Sequence, residues 1–230
     1  MIFTLLQLLT GDLTRSQIAS VLVLLAALLF VMFVSMPVHE SAHAFAASLM
    51  GDPTGKLKGR ITLNPFAHLT LPGTLMMLFL GFGYARPVPV NIMNFKNRKV
   101  GFALTSLAGP LSNVIMAVLS VLVSAFIHRF ADPSMAASVF YMFFIYVAEY
   151  NFVLALFNMI PIPPLDGSRL VTLVLPDKYY YKLLQYERYF IYIIFALSFI
   201  VNRIDFIPSL SDIAFMAVNG LENMLLNILM

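Results

Sequence analysis

The chain has no cysteine, which excludes a disulfide scaffold, a thiolate zinc finger, a cysteine nucleophile and an iron–sulfur cluster. Charge is almost as scarce. Asp, Glu, Lys and Arg make up 11% of the 230 residues, less than half of the roughly 25% usual for a soluble domain. The 14 Lys and Arg exceed the 11 Asp and Glu by three, a surplus too small and too scattered for a nucleic-acid groove, so no nucleic-acid partner is expected. What fills the chain instead is apolar. Hydrophobic residues reach 60%, more than a globule of this length can hide from water, and the same figure excludes disorder. The remaining solvent is a lipid bilayer. The 21 Phe and 10 Tyr then fit lipid-facing bulk and an interfacial belt.

A membrane helix needs about 20 apolar residues in a row. Ser16 to Val38 is free of charge and continues in helical pattern to Met50, which predicts one long helix. Val100 to Ile127 gives a second span, and Met135 to about Pro161 a third, interrupted only by Glu149. Tyr186 to about Ile207 gives a fourth; Leu210 to Met230 holds Asp212 and Glu222 and is expected as a final helix, spanning or interfacial. The first apolar stretch lacks a basic leader and a small-residue cleavage site, so it is read as retained.

Thr70 to Ala85 is apolar but short and broken by Pro72, Gly73, Gly81 and Gly83. A re-entrant segment here puts eleven of the fourteen basic residues on one face, which the usual excess of Lys and Arg makes cytoplasmic, with the amino terminus outside. The flanking GKLKGRITLNPF and YARPVPVNIMNF are turn-rich and β-prone, and predict short strands or a re-entrant loop beside a polar site. The expected fold is an all-α polytopic integral membrane protein. It has four to six membrane helices and a short β or re-entrant region after the first long helix.

His39-Glu40-Ser41-Ala42-His43 is an H-E-x-x-H motif. On a helix the two histidines, four apart, share a face and can reach one metal, with Glu40 beside them to take a proton from a metal-bound water. Three ionisable groups in an apolar run pack poorly without a metal. Zinc suits such donors and takes three protein ligands in a catalytic site. Candidates for the third ligand are Glu149, Asp166, His68 and His128. Asp166 follows Pro161, Pro163 and Pro164, which must break the third long helix. His68 is expected in a solvated or capping role, and His128 at the outer boundary. Asn151 is read as packing or cavity lining. Gly109, Pro110 and Asn113 are read as permitting close helix packing, with Asn113 facing the cavity as the alternative.

Three motifs in order, HESAH in a membrane helix, AGPLSN in the next and NMIPIPPLDGSR ending the one after, resemble the site-2 protease family of intramembrane zinc metalloproteases. GRITLNPFAHL and GYARPVPVN resemble its compact bacterial branch without a PDZ domain. The resemblance runs from about residue 35 to 170. It implies one Zn2+ per chain held by His39, His43 and Asp166, Glu40 as general base, and Asn158 orienting substrate or the oxyanion. It further implies a single membrane-embedded metalloprotease domain over 1–230, with a catalytic core at about 16–207 and an accessory helix at 208–230. Membrane-spanning protein substrates and a multi-pass place in the cell membrane follow, with the active site towards the cytoplasm. Pro37 departs from the expected helix former and predicts a kink at the site. Two other functions compete: a metal-ion transporter, which should show an internal repeat and ligands on several helices, and a catalytically silent adaptor.

Overall fold

A computed structural model describes residues 14–80, 85–176 and 209–229. Thr14 opens the first helix with a reciprocal cap: its hydroxyl accepts from the Gln17 N–H, while Gln17 Oε1 accepts from the Thr14 N–H at 2.8 Å. Helix α1 (Arg15–Phe30) passes through a π turn (Val31–Ser35) into α2 (Met36–Met50). The π turn answers Pro37. A proline cannot donate to the carbonyl four residues back, and its ring presses on that carbonyl. Immediately before it the Met36 N–H instead donates five residues back, to Val31 O. The disturbance expected from Pro37 includes this local widening, and Ser16–Met50 continues through it as one helix of 35 residues.

Gly51 ends α2 in the left-handed region (φ 109°), where a side chain would be strained and a Cβ would also lie 3.2 Å from Asn94 O. The next residue, Asp52, is fully buried. Its carboxylate accepts from Thr54 N and Oγ1 (3.1 and 2.5 Å), Asn91 N (2.7 Å) and Asn94 Nδ2 (2.7 Å), stitching the end of α2 to the loop before the next long helix.

Helix α3 (Leu71–Leu80) is ten residues, about 15 Å long, half the thickness of a bilayer core. Its Met77 sits in the cluster formed by Leu28, Met32 and Val147. The ends of the apolar segment meet: the Arg86 N–H donates to His68 O at 2.6 Å. His68 and Arg86, which flank the apolar segment, therefore lie side by side. The expected short strands do not form; among the described residues there is no strand. The reason is local. Pro87 and Pro89 lack ladder donors, and the Arg60 guanidinium takes the carbonyls of Arg86 and Pro87. The GRITLNPF stretch carries a 3₁₀ turn at Pro65–Ala67, which Asn64 caps by accepting from Phe66 N–H at 3.1 Å.

Helices α4 (Arg98–Phe130) and α5 (Met135–Asn158) start at side-chain caps, Asn97 accepting from Val100 N–H and Ser134 from Ala137 N–H. Helix α4 is the centre of the bundle. Every fourth residue from Gly101 to Ala125 (Gly101, Thr105, Gly109, Asn113, Ala117, Val121, Ala125) is buried. Most are small, so neighbouring backbones come close. Helix α2 packs on its first half and α5 along it. Helix α6 (Leu210–Leu229) lays Val218 against Val121 and Ala148, and its buried Glu222 accepts from the Tyr141 hydroxyl at 3.1 Å. Three helices among the described residues are long and apolar enough to cross a membrane: Ser16–Met50, Arg98–Phe130 and Met135–Asn158. The expected span at Tyr186 to Ile207 lies outside the described residues.

Burial by itself would raise the Asp52 carboxyl, but the hydrogen bonds from Thr54, Asn94 and Asn91 hold it below the ordinary carboxylate value. A folded-state value below the unfolded one stabilises above the unfolded value, near 3.8, and that contribution fades as pH falls through the folded value. We expect Asp52→Asn to lower the thermal midpoint in detergent by about 2–4 °C at neutral pH, read by circular dichroism. The gap from wild type should narrow as pH falls below 3.8; a gap unchanged at low pH would contradict this role.

Candidate metal centre and active site

Two imidazoles on one face of α2 meet a carboxylate brought from beyond α5. The His39 and His43 rings stand edge to face, 4.6 Å between centroids, with their Nε2 atoms 3.0 Å apart. Asp166 Oδ2 lies 3.2 Å from each. All three residues are buried, and among the described residues they are the group of acids and histidines able to share a metal ion. Of the four candidates for a third ligand, then, Asp166 is the one brought to the histidine pair.

Helix α4 is the backboard. Thr105 O accepts from His43 Nδ1 at 2.7 Å, which fixes the tautomer: the proton sits on Nδ1 and the Nε2 lone pair faces the site. The adjacent Ser106 Oγ donates to the main-chain carbonyl of Asp166. Two consecutive residues thus hold one imidazole and the turn carrying the carboxylate. That turn begins where α5 stops at Asn158, and it closes against Gly167, where a Cβ would fall 2.2 Å from Met159 O. Burial opposes the charge on Asp166, but the nearby imidazoles of His43 and His39 hold its carboxyl well below the usual range. His39 Nδ1 is buried without a hydrogen-bond partner.

Gly109 is set by contact. A Cβ there would stand 2.3 Å from His43 Nε2 and 2.6 Å from His39 Cε1. The absence of a side chain is what lets α4 lie flat against the imidazole pair. Asn113, one turn on, faces a cavity of about 320 Å³ lined also by Met36, Glu40, Phe157, Asn158 and Arg169. Asn158 Nδ2 donates to Leu154 O at 3.0 Å. Asn151 packs: its Nδ2 donates to Ser35 Oγ at 3.1 Å and Val147 O at 2.8 Å, joining α5 to the π turn.

Beside Glu40 lies a polar cluster that spacing alone does not reveal. Arg60 is buried, with Nη2 4.0 Å from Glu40 Oε2 and Nη1 donating to Pro87 O at 3.2 Å. Arg60 thereby links Glu40 to the irregular stretch that lines the cavity through Ala85, Pro87 and Val88. Behind it, His68 is fully buried, its Nε2 2.8 Å from Thr62 O and its Nδ1 3.4 Å from Arg60 Nη2. Burial pushes the His68 pKa down and keeps the ring neutral. The solvated or capping role expected of His68 is therefore corrected to a buried buttress. A signal for it existed in the arginine eight residues earlier, but only the fold makes the two neighbours. Glu149 is half-buried on α5 and is not part of the cavity lining. His128, more than half exposed, lies 3.7 Å from Glu222 at the far end of α4.

Replacing Gly109 by alanine is expected to drive the imidazoles apart and reduce metal retention at least about tenfold while the helical content persists. Metal analysis of the purified variant beside circular dichroism checks this. Wild-type metal content in Gly109→Ala would show that the close approach is dispensable.

Comparisons with known proteins point to one family. The family model described as peptidase family M50 matches residues 123–201, which include Asp166. YwhC of Bacillus subtilis (strain 168), provisionally named a zinc metalloprotease, is 40% identical over 175 residues, covering 75% of this chain and 80% of that protein. Rip2 of Mycolicibacterium smegmatis, named in the same way, is 32% identical over 141 residues, 58% of this chain; the match spans 51% of that longer relative. Rip2 of Mycobacterium tuberculosis is 32% identical over 138 residues. No solved structure matches. With a 40% identical relative covered over four-fifths of its length, the chain belongs to peptidase family M50, the site-2 protease family.

Proposed function

We propose that this chain is an intramembrane zinc endopeptidase that hydrolyses peptide bonds in or near the transmembrane segments of membrane-protein substrates. The observation that carries the proposal is the convergence of His39 Nε2, His43 Nε2 and Asp166 Oδ2 at 3.0–3.2 Å. Zinc fits these residues. Two nitrogens and a carboxylate oxygen are its usual donors, and bonds of about 2.0–2.1 Å in a tetrahedron put donors about 3.3 Å apart. His43 enters with Nδ1 already committed to Thr105 O, as a ligand imidazole requires.

Zinc held there supplies a Lewis acid and lowers the pKa of a water to about 7. The chain's own groups do the rest. Glu40, on the cavity wall beside the ligands, takes the proton from the attacking water and returns it to the leaving amine. Arg60, with Nη2 4.0 Å from its Oε2, fixes where that side chain stands at the cavity wall. Asn158 faces the same cavity and donates through Nδ2 to the substrate carbonyl as charge develops on it; to do so it exchanges its present bond to Leu154 O. A membrane-spanning substrate must unwind before attack. The unwound segment rests against the stretch 85–90, which lines the cavity through Ala85, Pro87 and Val88.

We read the whole of 1–230 as one membrane-embedded metalloprotease domain, with a core at about 16–207 and 208–230 as an accessory helix. Its partners are the lipid bilayer and membrane-spanning protein substrates. Its place is the cell membrane, multi-pass, with the zinc towards the cytoplasmic side where the basic residues gather.

The test uses full-length protein in detergent. Wild type and Glu40→Gln should each retain about one zinc per chain, and a panel of membrane-spanning peptides should be cut by wild type only. Loss of the general base is expected to slow cleavage at least about 100-fold. Chelation should abolish wild-type cleavage and added zinc restore it. Equal cleavage by Glu40→Gln would overturn the mechanism, and absence of zinc from both would overturn the site.

A further inference from the structure

Three asparagines lie on the inner faces of α4 and α5, and two of them have hydrogen-bond partners. Asn151 donates to Ser35 and Val147, and Asn158 donates to Leu154. Asn113 is different. Its side chain is 1% exposed and its Oδ1, like that of Asn151, is buried without a partner, but its Nδ2 too is unpaired, so among the described residues neither end of its amide makes a hydrogen bond. It is not stranded in packed hydrocarbon. It lines the same cavity as His39, Glu40, His43 and Asp166, one helical turn beyond the Gly109 pressed against the imidazoles. An amide left unpaired in an apolar bundle costs free energy, and an aliphatic residue of similar size would avoid that cost.

We propose that Asn113 is a substrate-binding residue that pairs with the main chain of the unwound substrate next to the scissile bond. A side-chain amide presents one acceptor and donors on adjacent atoms. A peptide group stripped of its helix presents the complementary pair, a free C=O and a free N–H. The helix has to lose those bonds before hydrolysis, and Asn113 offers replacements inside the cavity. This assigns a different task from that of Asn158: Asn113 binds the ground-state main chain, and its contribution falls on KM. The inference rests on the endopeptidase reading above.

The experiment uses full-length wild type, Asn113→Leu and Asn113→Ala in detergent. The probes are a membrane-spanning peptide that wild type cuts and copies of it carrying one N-methyl amide at successive bonds. Both variants should bind zinc as wild type does, and Asn113→Leu should melt no lower than wild type, because it removes an unpaired polar group. Both should raise KM about five- to tenfold with kcat kept within about twofold. At one bond near the cleavage site, N-methylation should weaken wild type by a similar factor and leave Asn113→Leu unaffected. That loss of coupling identifies the contact. Unchanged KM in both variants, with wild type cutting the peptide, overturns the inference and leaves the endopeptidase reading intact. A parallel fall of melting temperature, zinc content and kcat makes Asn113 structural and also overturns it. If wild type cuts no peptide, the endopeptidase reading fails and this inference fails with it.

Discussion

Everything in this bundle is arranged around one electrostatic problem: two imidazoles and a carboxylate buried within hydrogen-bond range of one another among apolar helices. Each such group costs a few kcal/mol in that setting unless it is paired, so the fold must supply partners and must supply them rigidly. The partners come mainly from α4. Thr105 and Ser106 are neighbours in sequence, yet one holds an imidazole of α2 and the other the turn beyond α5. A helix whose side chains are small where it meets its neighbours can act at this range. Gly109 at the contact point brings backbone within reach of both rings. The bundle tolerates three polar ligands because a glycine, a carbonyl and a serine hydroxyl stand where larger apolar side chains would otherwise sit.

The two ends of that architecture were not equally legible in the sequence. The H-E-x-x-H spacing and the long apolar runs are local patterns, and a helix converts local spacing into geometry directly. The break carrying Asp166 was legible for the same reason, since prolines end helices wherever they occur. The pairing of Asp166 with histidines 123 and 127 residues away is not a local property; it came from the resemblance of motifs in order. Arg60 shows where spacing runs out. It sits in a turn-rich stretch with no periodicity, and its partners Glu40, His68, Arg86 and Pro87 meet only after α2 has ended and the chain has doubled back.

The expected strands fail for a related reason. Alternation and prolines in the Arg-Pro-Val-Pro stretch describe an extended backbone, and residues 85–91 belong to neither helix nor strand. Whether extension becomes a sheet depends on what meets its carbonyls, and here a guanidinium arrives first. Pro37 makes the converse point. A proline within a helix interior predicts a kink, and beside Pro37 the structure shows a π turn. The π turn at Val31–Ser35 keeps the rod continuous, so α1 and α2 carry the motif as a single long lever.

The hydrogen bond from Arg86 to His68 joins the two feet of the segment between them. A loop whose feet are tied is mechanically separate from what lies beneath it. The described residues between those feet behave as a cassette, clamped at its base by Arg60 and packed on the bundle through Leu69 and Met77. Such a cassette can change at its exposed positions while Arg60 keeps its contacts to His68, Arg86 and Glu40. The chemistry is thus insulated from whatever governs access to it, and enzymes sharing this centre are free to differ in what they admit.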